Sequence, residues 1–208
     1  MSDRRRFGAE DAEVLSDDRV FDGYFQVHRR TIRHRAFAGG WCEPVTREVF
    51  ERGNAVGVLP YEPVSDSIIL IEQFRAGSLR DESSPWMMEL VAGIVEPGEG
   101  PEEVARREAI EEAGCELSEL ELIASYYPSA GACSEHVVLY MGRALSDGAG
   151  EVLGLDTEGE DILVHRLPRA EVMAMLARGE INNGHTLVAL QWLALHGDDL
   201  RARWLAAG

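Results

Sequence analysis

Cysteine and long apolar runs are both scarce in this sequence. Its 208 residues include three cysteines, Cys42, Cys115 and Cys133. An odd and widely spaced set gives no disulfide framework, which favours a reducing compartment. No segment approaches the run of about 20 apolar residues that a membrane helix needs. Residues 1–6 are basic, but polar and acidic residues follow them, which argues against a signal peptide. We therefore expect a cytoplasmic protein with no membrane partner.

Basic residues are the second shortage. Lysine and arginine number 20 against 37 aspartates and glutamates, for a formal net charge of −17. Such a surface repels nucleic acid, so we expect no nucleic-acid partner. The basic run at 28–35 has the pattern of the solvated face of a strand. An acidic protein can still bind an anionic substrate if a divalent cation lies between them.

The hydrophobic fraction of 45% is enough for a core, and its patterning predicts both strands and helices. Residues 1–20 are polar, and we expect them to be partly loose. Strands are predicted at 24–28, 46–50, 55–59, 67–74, 122–127, 136–141 and 161–167. Helices are predicted at 101–113, 168–178 and 186–196, each followed by a glycine. This mixture predicts an α/β (α+β) domain around a mixed sheet.

The segment 93–115 carries the chemistry. Glu108, Glu111 and Glu112 stand at i, i+3 and i+4 of one predicted helix, so the three carboxylates share an arc of about 100°. Like charges at i, i+4 destabilise a helix by roughly 0.2–0.5 kcal/mol per pair. Arg107 relieves part of this repulsion, but Glu108 and Glu112 lack an obvious cation on the helix. A hard divalent metal ion would supply one. The alternative is a solvated acidic helix face.

The spacing of charged residues and glycines in this segment is specific. It resembles the Nudix box at seven positions: Gly93, Glu99, Arg107, Glu108, Glu111, Glu112 and Gly114. The resemblance implies an enzyme that cleaves a nucleoside diphosphate linked to another group. It also implies a Nudix-type α/β/α sandwich around a mixed sheet, with the box forming a loop, a helix and a loop.

The resemblance assigns each box residue a role. Glu108 and Glu112 are the expected Mg²⁺ ligands, with Mn²⁺ able to substitute, and the carbonyl of Ala92 can also face the metal. Glu111 is expected to act in catalysis, as a further metal ligand or beside one. The remaining roles are structural: Glu99 and Arg107 pair to tie the loop to the helix, Gly93 allows a tight turn, and Gly114 ends the helix.

The flanks of the box resemble the dimeric bacterial ADP-ribose pyrophosphatases at 50–55, 70–75, 89–93 and 181–193. That subfamily implies a β-rich extension, 1–52, exchanged between the two protomers of a homodimer, and a Nudix domain at 53–208. Arg47 and Arg75 would contact the diphosphate or the terminal ribose, and Tyr24 would stack on adenine. The alternatives are arginines on exposed strands that pair with Glu48 or Glu72, and a tyrosine in the core or an interface.

A second acidic cluster lies at 156–161. In the resembling subfamily, loop glutamates matching Glu158 and Glu160 supply a catalytic base and a metal ligand. A glycine-containing loop could place a carboxylate over the bound diphosphate and exclude water. The alternative is a solvated acidic turn before the next strand.

The substrate expected from the resemblance is ADP-ribose, cleaved to AMP and ribose 5-phosphate. One position departs from the subfamily, because Ala130 stands where a loop proline is typical. A Nudix pyrophosphatase for GDP-mannose or another nucleoside diphosphate sugar is therefore the first alternative. The second is a non-catalytic Nudix domain that senses a nucleotide sugar, although the intact box disfavours it.

Overall fold

The computed structural model describes residues 6–207 apart from Asp81, Ser83, Gly148, Asp156 and Glu158. The chain divides into two compact units, one made of residues 1–53 and 127–135 and the other of residues 54–126 and 136–208. The first unit thus takes in a second segment far along the sequence. The boundary after residue 52 stays a prediction.

A three-stranded antiparallel sheet forms the first unit. Its strands are β1 (Ala12–Asp22), β2 (Gln26–His34) and β3 (Val45–Glu51), with β2 in the centre. Residues 12–20 belong to β1, so the expectation of a partly loose segment is wrong for that part of it. Acidic residues of β1 lie opposite basic residues of β2, with Asp17 paired to Arg30. Opposite charges placed directly across two strands stabilise the sheet, and this pairing joins two strands connected by a short turn at 23–25.

A mixed sheet of eight strands forms the second unit. Its strands are β4 (Ala55–Glu62), β5 (Ser67–Phe74), β6 (Trp86–Glu89), β7 (Val91–Ile94), β8 (Leu117–Tyr126), β9 (Val137–Ala144), β10 (Val152–Leu153) and β11 (Ile162–Pro168). The strand order is β10-β11-β5-β4-β9-β8, while β6 pairs with β5 and β7 pairs with β4. Strands β4 and β9 run parallel and the other pairs are antiparallel. The predicted mixed sheet is confirmed.

Helices cover both faces of this sheet. They are α1 (Pro101–Ala113), α2 (Arg169–Arg178) and α3 (Gly184–Ala206). Side chains of α1 share one buried cluster with Ile69 and Ile71 of β5. Side chains of α2 and α3 share the other cluster with Ile68 and Leu70 of the same strand. Alternate residues of one strand thus point to opposite layers, which confirms the α/β/α sandwich.

The predicted end of the last helix at residue 196 is wrong, because α3 continues to Ala206. Gly197 is buried within the helix, and a Cβ there would lie 2.7 Å from Nη1 of Arg169. The glycine makes room for a close approach between α3 and the start of α2, and it does not act as a stop. Among the residues that the structure describes, no helix combines the length and apolar character that crossing a bilayer demands.

Candidate active site

The helix of the predicted box has the limits that its end signals indicate. Pro101 occupies the first turn, and the carboxylate of Glu103 accepts a hydrogen bond of 2.7 Å from the backbone N–H of Gly100. The helix ends at Gly114, which has φ 57 in the left-handed region that favours glycine. Because both ends of the helix are defined, the positions of the box glutamates along it are defined as well.

Arg107 is the centre of an ion-pair network at the surface of α1. Its Nε and Nη2 donate to the two carboxylate oxygens of Glu99 at 2.9 and 3.1 Å. The expected pair between loop and helix is therefore present as a bidentate contact. Nη1 of the same arginine donates to Glu111 at 3.0 Å and to Glu108 at 2.8 Å. The expectation that Glu108 lacks a cation on the helix is wrong, since its sequence neighbour supplies one.

This network shifts the ionisation of its members. Hydrogen bonds from Arg107 and from the backbone N–H of Glu96 hold the pKa of Glu99 below its ordinary value. The contact with Glu99 in turn raises the pKa of Arg107. Both groups stay charged at neutral pH, which suits a fixed link between loop and helix.

Glu112 lies in the interior, with only 2% of its surface exposed. Its Oε2 accepts a hydrogen bond of 3.0 Å from the backbone N–H of Ala92, at the start of β7. Burial raises the pKa of Glu112 to about 8, and the charges of Glu108 and Glu160 add to the rise. A buried carboxylate is costly to ionise unless a cation lies beside it. A cation bound at this position would therefore stabilise the ionised form of Glu112.

Gly93 is explained by a close approach. A Cβ on this residue would clash with Oε1 of Glu108. Gly93 lies within strand β7, and its φ is not positive. The expected tight turn is therefore wrong. The missing side chain allows the Glu108 carboxylate to lie against the strand, where burial raises its pKa.

The second acidic cluster is described in part. Oε2 of Glu160 accepts a hydrogen bond of 3.0 Å from the backbone N–H of Leu155. The negative charge of Glu160 raises the pKa of both Glu108 and Glu112, which places it within electrostatic reach of the two box glutamates. The predicted base, Glu158, lies outside the described residues.

These groups match the chemistry of a hard divalent cation. In the described part of the chain, no three histidine, cysteine or acidic side chains converge closely enough to form a preformed cluster. Mg²⁺ does not need one, because it is typically bound by one or two carboxylates together with waters and substrate phosphates. Glu108 and Glu112 supply two partly or fully buried carboxylates that favour their neutral forms without a cation.

Arg75 lies beside this group of carboxylates, and its positive charge lowers the pKa of Glu112. Its Nε donates to Oε2 of Glu89 at 2.8 Å. The alternative pairing with Glu72 is wrong, because that carboxylate contacts His165 at 2.9 Å. Sequence reasoning did not assign a role to Glu89, although it lies in one of the flanks of the box.

The other two predicted substrate contacts lie in the first unit. Arg47 is exposed, and its Nη1 donates to the backbone carbonyl of Thr46 at 2.9 Å. Glu48 pairs with Arg29 at 3.0 Å, so the alternative ion pair between neighbours is wrong. Tyr24 is 86% exposed and is not a core residue of this chain.

The aromatic and loop positions of the first unit are both accessible. The ring of Tyr24 meets that of Phe25 edge to face, with centroids 4.7 Å apart. Ala130 lies in an exposed turn, which is held by a hydrogen bond of 3.0 Å from the backbone N–H of Cys133 to the carbonyl of Ser129. This turn forms without a proline at residue 130.

Comparisons with known proteins agree with the box. The family model for the NUDIX domain matches residues 51–191. An ADP-ribose pyrophosphatase of Escherichia coli (strain K12) is 39% identical over 198 residues, covering 95% of each chain. The enzyme of that name from Haemophilus influenzae (strain ATCC 51907 / DSM 11121 / KW20 / Rd) is 39% identical over 207 residues, covering 98% of this chain and 95% of its own.

More distant relatives and a solved structure complete the comparison. A GDP-mannose pyrophosphatase of Shigella flexneri serotype 5b (strain 8401) is 32% identical over 193 residues, covering 88% of this chain and 94% of its own. A crystal structure of an ADP compounds hydrolase matches with a TM-score of 0.66 at 24% identity, covering 90% of this chain and 96% of its own. At that identity the match supports the fold alone.

Proposed function

The chain belongs to the NUDIX domain family, and on that premise we propose that it hydrolyses the pyrophosphate bond of ADP-ribose to AMP and ribose 5-phosphate with Mg²⁺. The observation that carries the proposal is the pair of box carboxylates, Glu108 and Glu112, whose ionised forms are disfavoured by burial. The choice of ADP-ribose rests on the similarity to relatives named ADP-ribose pyrophosphatase over nearly the whole chain.

Glu108 and Glu112 are the proposed ligands of the metal, with Glu160 and the carbonyl of Ala92 completing the set. Mg²⁺ bound there, or Mn²⁺ in its place, would neutralise charge on the diphosphate and orient a water molecule for attack. Carboxylates at this position favour such binding, because a cation offsets the cost of burying their charge.

The chain's own residues have distinct proposed tasks around the diphosphate. Arg75 and Arg47 donate charge-assisted hydrogen bonds to its oxygens or to the terminal ribose, and Tyr24 stacks on adenine. Glu158 accepts the proton of the attacking water. The oxygen of that water forms a bond to one phosphorus while the bridging P–O bond breaks. Glu111 is proposed to assist catalysis as a further metal ligand or as a carboxylate beside one.

A homodimer is the proposed assembly. In the described part of the first unit, residues 6–53 and 127–135, no hydrophobic side chain is buried. Several large apolar side chains of this unit are instead exposed: Val14, Leu15, Val20, Phe21, Tyr24 and Phe37. Four of these side chains, Val14, Leu15, Val20 and Phe21, belong to β1, and several exposed apolar side chains on one strand favour an interaction surface. We propose that the extension at 1–52 pairs with a second copy of the chain.

Turnover of the purified protein on a panel of diphosphates tests the function. The panel is ADP-ribose, GDP-mannose, NADH and a diadenosine polyphosphate, each with Mg²⁺ and with a chelator. We expect Mg²⁺-dependent hydrolysis with the highest kcat/KM on ADP-ribose, and no turnover with the chelator. Preference for GDP-mannose would keep the reaction class and overturn the substrate. Tight binding of ADP-ribose without hydrolysis of any compound would support a sensor in place of an enzyme.

A further inference from the structure

We propose that Glu89 and Asn183 are positioning residues that hold Arg75 in place to bind the substrate diphosphate. The proposal deepens the proposed function and rests on it. It concerns a chain of hydrogen bonds that begins at the N-terminus of helix α3 and ends at the guanidinium group beside the box carboxylates.

Glu89 is the middle member of this chain of contacts. It is 3% exposed, and its Oε2 accepts the hydrogen bond of 2.8 Å from Nε of Arg75. A carboxylate this deeply buried needs a partner for each oxygen, because an unpaired buried charge strongly destabilises the folded protein. Arg75 satisfies one oxygen and thereby has one edge of its guanidinium group fixed.

Asn183 satisfies the other oxygen. Its Nδ2 donates to Oε1 of Glu89 at 2.6 Å. Its Oδ1 accepts hydrogen bonds of 3.1 Å from both the backbone N–H and the hydroxyl of Thr186, which caps helix α3. Both ends of the asparagine amide are therefore used, and the amide cannot turn without losing a contact to Glu89 or to the helix.

Thr186 ties the same helix end to the sheet. Its Oγ1 accepts a hydrogen bond of 3.0 Å from the backbone N–H of Leu90. Leu90 is the residue between β6, which pairs with β5, and β7, which pairs with β4. The position of Glu89 is thus fixed from two directions, by its own strand and by the start of α3.

The hydrogen bonds of Glu89 and Asn183 lie near the carboxylates that are proposed to bind the metal. Glu89 precedes Ala92 by three residues, and the backbone N–H of Ala92 donates to Glu112. Arg75 is close enough to Glu112 to lower its pKa. The side chain of Arg75 is 44% exposed, so one end is held by a buried carboxylate while part of it remains open to an incoming anion.

The geometry of an arginine explains why one fixed edge matters. The guanidinium group is planar, and its donors keep a fixed mutual arrangement that matches the oxygens of a diphosphate. Fixing Nε therefore fixes the direction of the remaining donors. A free Arg75 would have to lose side-chain entropy when the substrate binds, so the buried carboxylate and the asparagine prepare the arginine for binding.

A double-mutant cycle tests the proposal. Glu89→Gln and Asn183→Ser are each made alone and together with Arg75→Ala; the serine keeps an oxygen that can cap α3. We measure kcat and KM on ADP-ribose, and by calorimetry the Kd of inorganic pyrophosphate with Mg²⁺. Each single variant should lower kcat/KM, by up to about 100-fold for Glu89→Gln, and weaken pyrophosphate binding. In the Arg75→Ala background, each should have less than about a twofold further effect.

Additive losses of kcat/KM and of pyrophosphate affinity would overturn the proposal, because a merely structural role adds to the loss of Arg75. Glu62→Gln is the matched control: it removes a carboxylate that accepts from Nη2 of Arg166 at 3.2 Å, and it should leave both readouts unchanged. If Glu89→Gln fails to fold, Asn183→Ser alone decides. Absence of wild-type turnover on ADP-ribose would overturn the proposed function, while the pyrophosphate cycle would still decide the roles of Glu89 and Asn183.

Discussion

Helix α1 and the N-terminal sheet are both rich in charge, but they balance it differently. On β2, Arg30 contacts Asp17 and Glu51 at 2.8 Å each, so acids and bases there neutralise one another within the chain. On α1, one arginine serves three carboxylates, and Glu112 remains buried with a raised pKa. The difference indicates two kinds of missing partner. Glu112 on the helix is proposed to bind a metal cation, and the exposed apolar side chains of the sheet are proposed to be covered by a second copy of the chain.

Removing the Glu112 carboxylate is expected to have the largest effect. Glu112→Gln keeps the shape and the hydrogen bond to Ala92 while deleting a proposed metal ligand. Because a bound metal contributes several kcal/mol to the transition state, kcat on ADP-ribose should fall by about 1000-fold. Kinetics at limiting and saturating Mg²⁺ measure this. Near-normal turnover at both concentrations would remove Glu112 from the metal site.

Whether a feature can be predicted from the sequence depends on how far apart along the chain the interacting residues lie. The limits of α1 depend on local end signals, and the sequence predicts them correctly. The pairing of Glu99 with Arg107, which the family resemblance implies, is also present. The segment up to residue 20 was expected to be partly loose because its polar composition does not reveal that its acidic residues pair with basic residues of the next strand. The glycine inside α3 was interpreted wrongly because its role depends on Arg169, which lies on another helix. The same holds for the contact of Glu89 with Asn183, 94 residues apart, which no local pattern encodes.

The apolar surface of the sheet is expected to give the next largest effect. Phe21 is 58% exposed in a single chain. If a second copy covers it, Phe21→Asp loses a buried aromatic side chain worth roughly 1.5–3 kcal/mol. The dimer dissociation constant should then rise about 10- to 100-fold, as measured by sedimentation velocity over a range of concentrations. Val64→Asp, which adds the same charge at an exposed apolar position in the second unit, should leave association unchanged.

A wild-type protein that sediments as a monomer at every concentration would contradict the dimer. Association that Phe21→Asp leaves unaltered would contradict the use of β1 as the interface. In the first case the apolar side chains of the sheet would need another partner, and the proposal that the extension at 1–52 is exchanged would fall with the dimer.

Replacing Arg107 should have a smaller effect on turnover than replacing Glu112, and it should lower both stability and turnover. Arg107→Ala removes the contacts with Glu99 and leaves Glu108 and Glu111 without their cation, so unfolding free energy should fall by about 1–3 kcal/mol. Turnover should fall as well, because the box loop loses its link to the helix. Arg30→Ala is the matched control, since it removes two ion pairs, against three for Arg107→Ala, but lies in the sheet. We expect it to lower stability, measured by chemical denaturation, and to spare kcat.

Equal losses of kcat in the two arginine variants would contradict the distinction between helix and sheet. That result would mean that the ion pairs of both regions support catalysis only through overall stability. A loss of kcat confined to Arg107→Ala, with similar denaturation midpoints for the two variants, would separate the role of the box loop from stability.

Per pH unit, the smallest expected effect is a dependence of stability on pH that belongs to Glu112. Its pKa in the folded, metal-free protein is about 8, against an ordinary 4.5. Between these values the folded state holds a proton that the unfolded state has released, so this group makes the protein less stable as pH rises. One such proton corresponds to about 1.4 kcal/mol per pH unit. The melting temperature of the metal-free wild type should therefore fall more steeply from pH 5 to 8 than that of Glu112→Gln.

Adding Mg²⁺ sharpens this test, because metal binding requires the ionised carboxylate and releases its proton. Saturating Mg²⁺ should raise the melting temperature of the wild type, flatten its pH dependence and leave Glu112→Gln nearly unaffected. Calorimetry in two buffers with different ionisation enthalpies measures the proton released on binding near pH 7. Parallel pH profiles for the wild type and the variant without metal would mean that Glu112 ionises without penalty. The unmet demand for positive charge on α1 would then have to reside at Glu108, where Arg107 already supplies part of it.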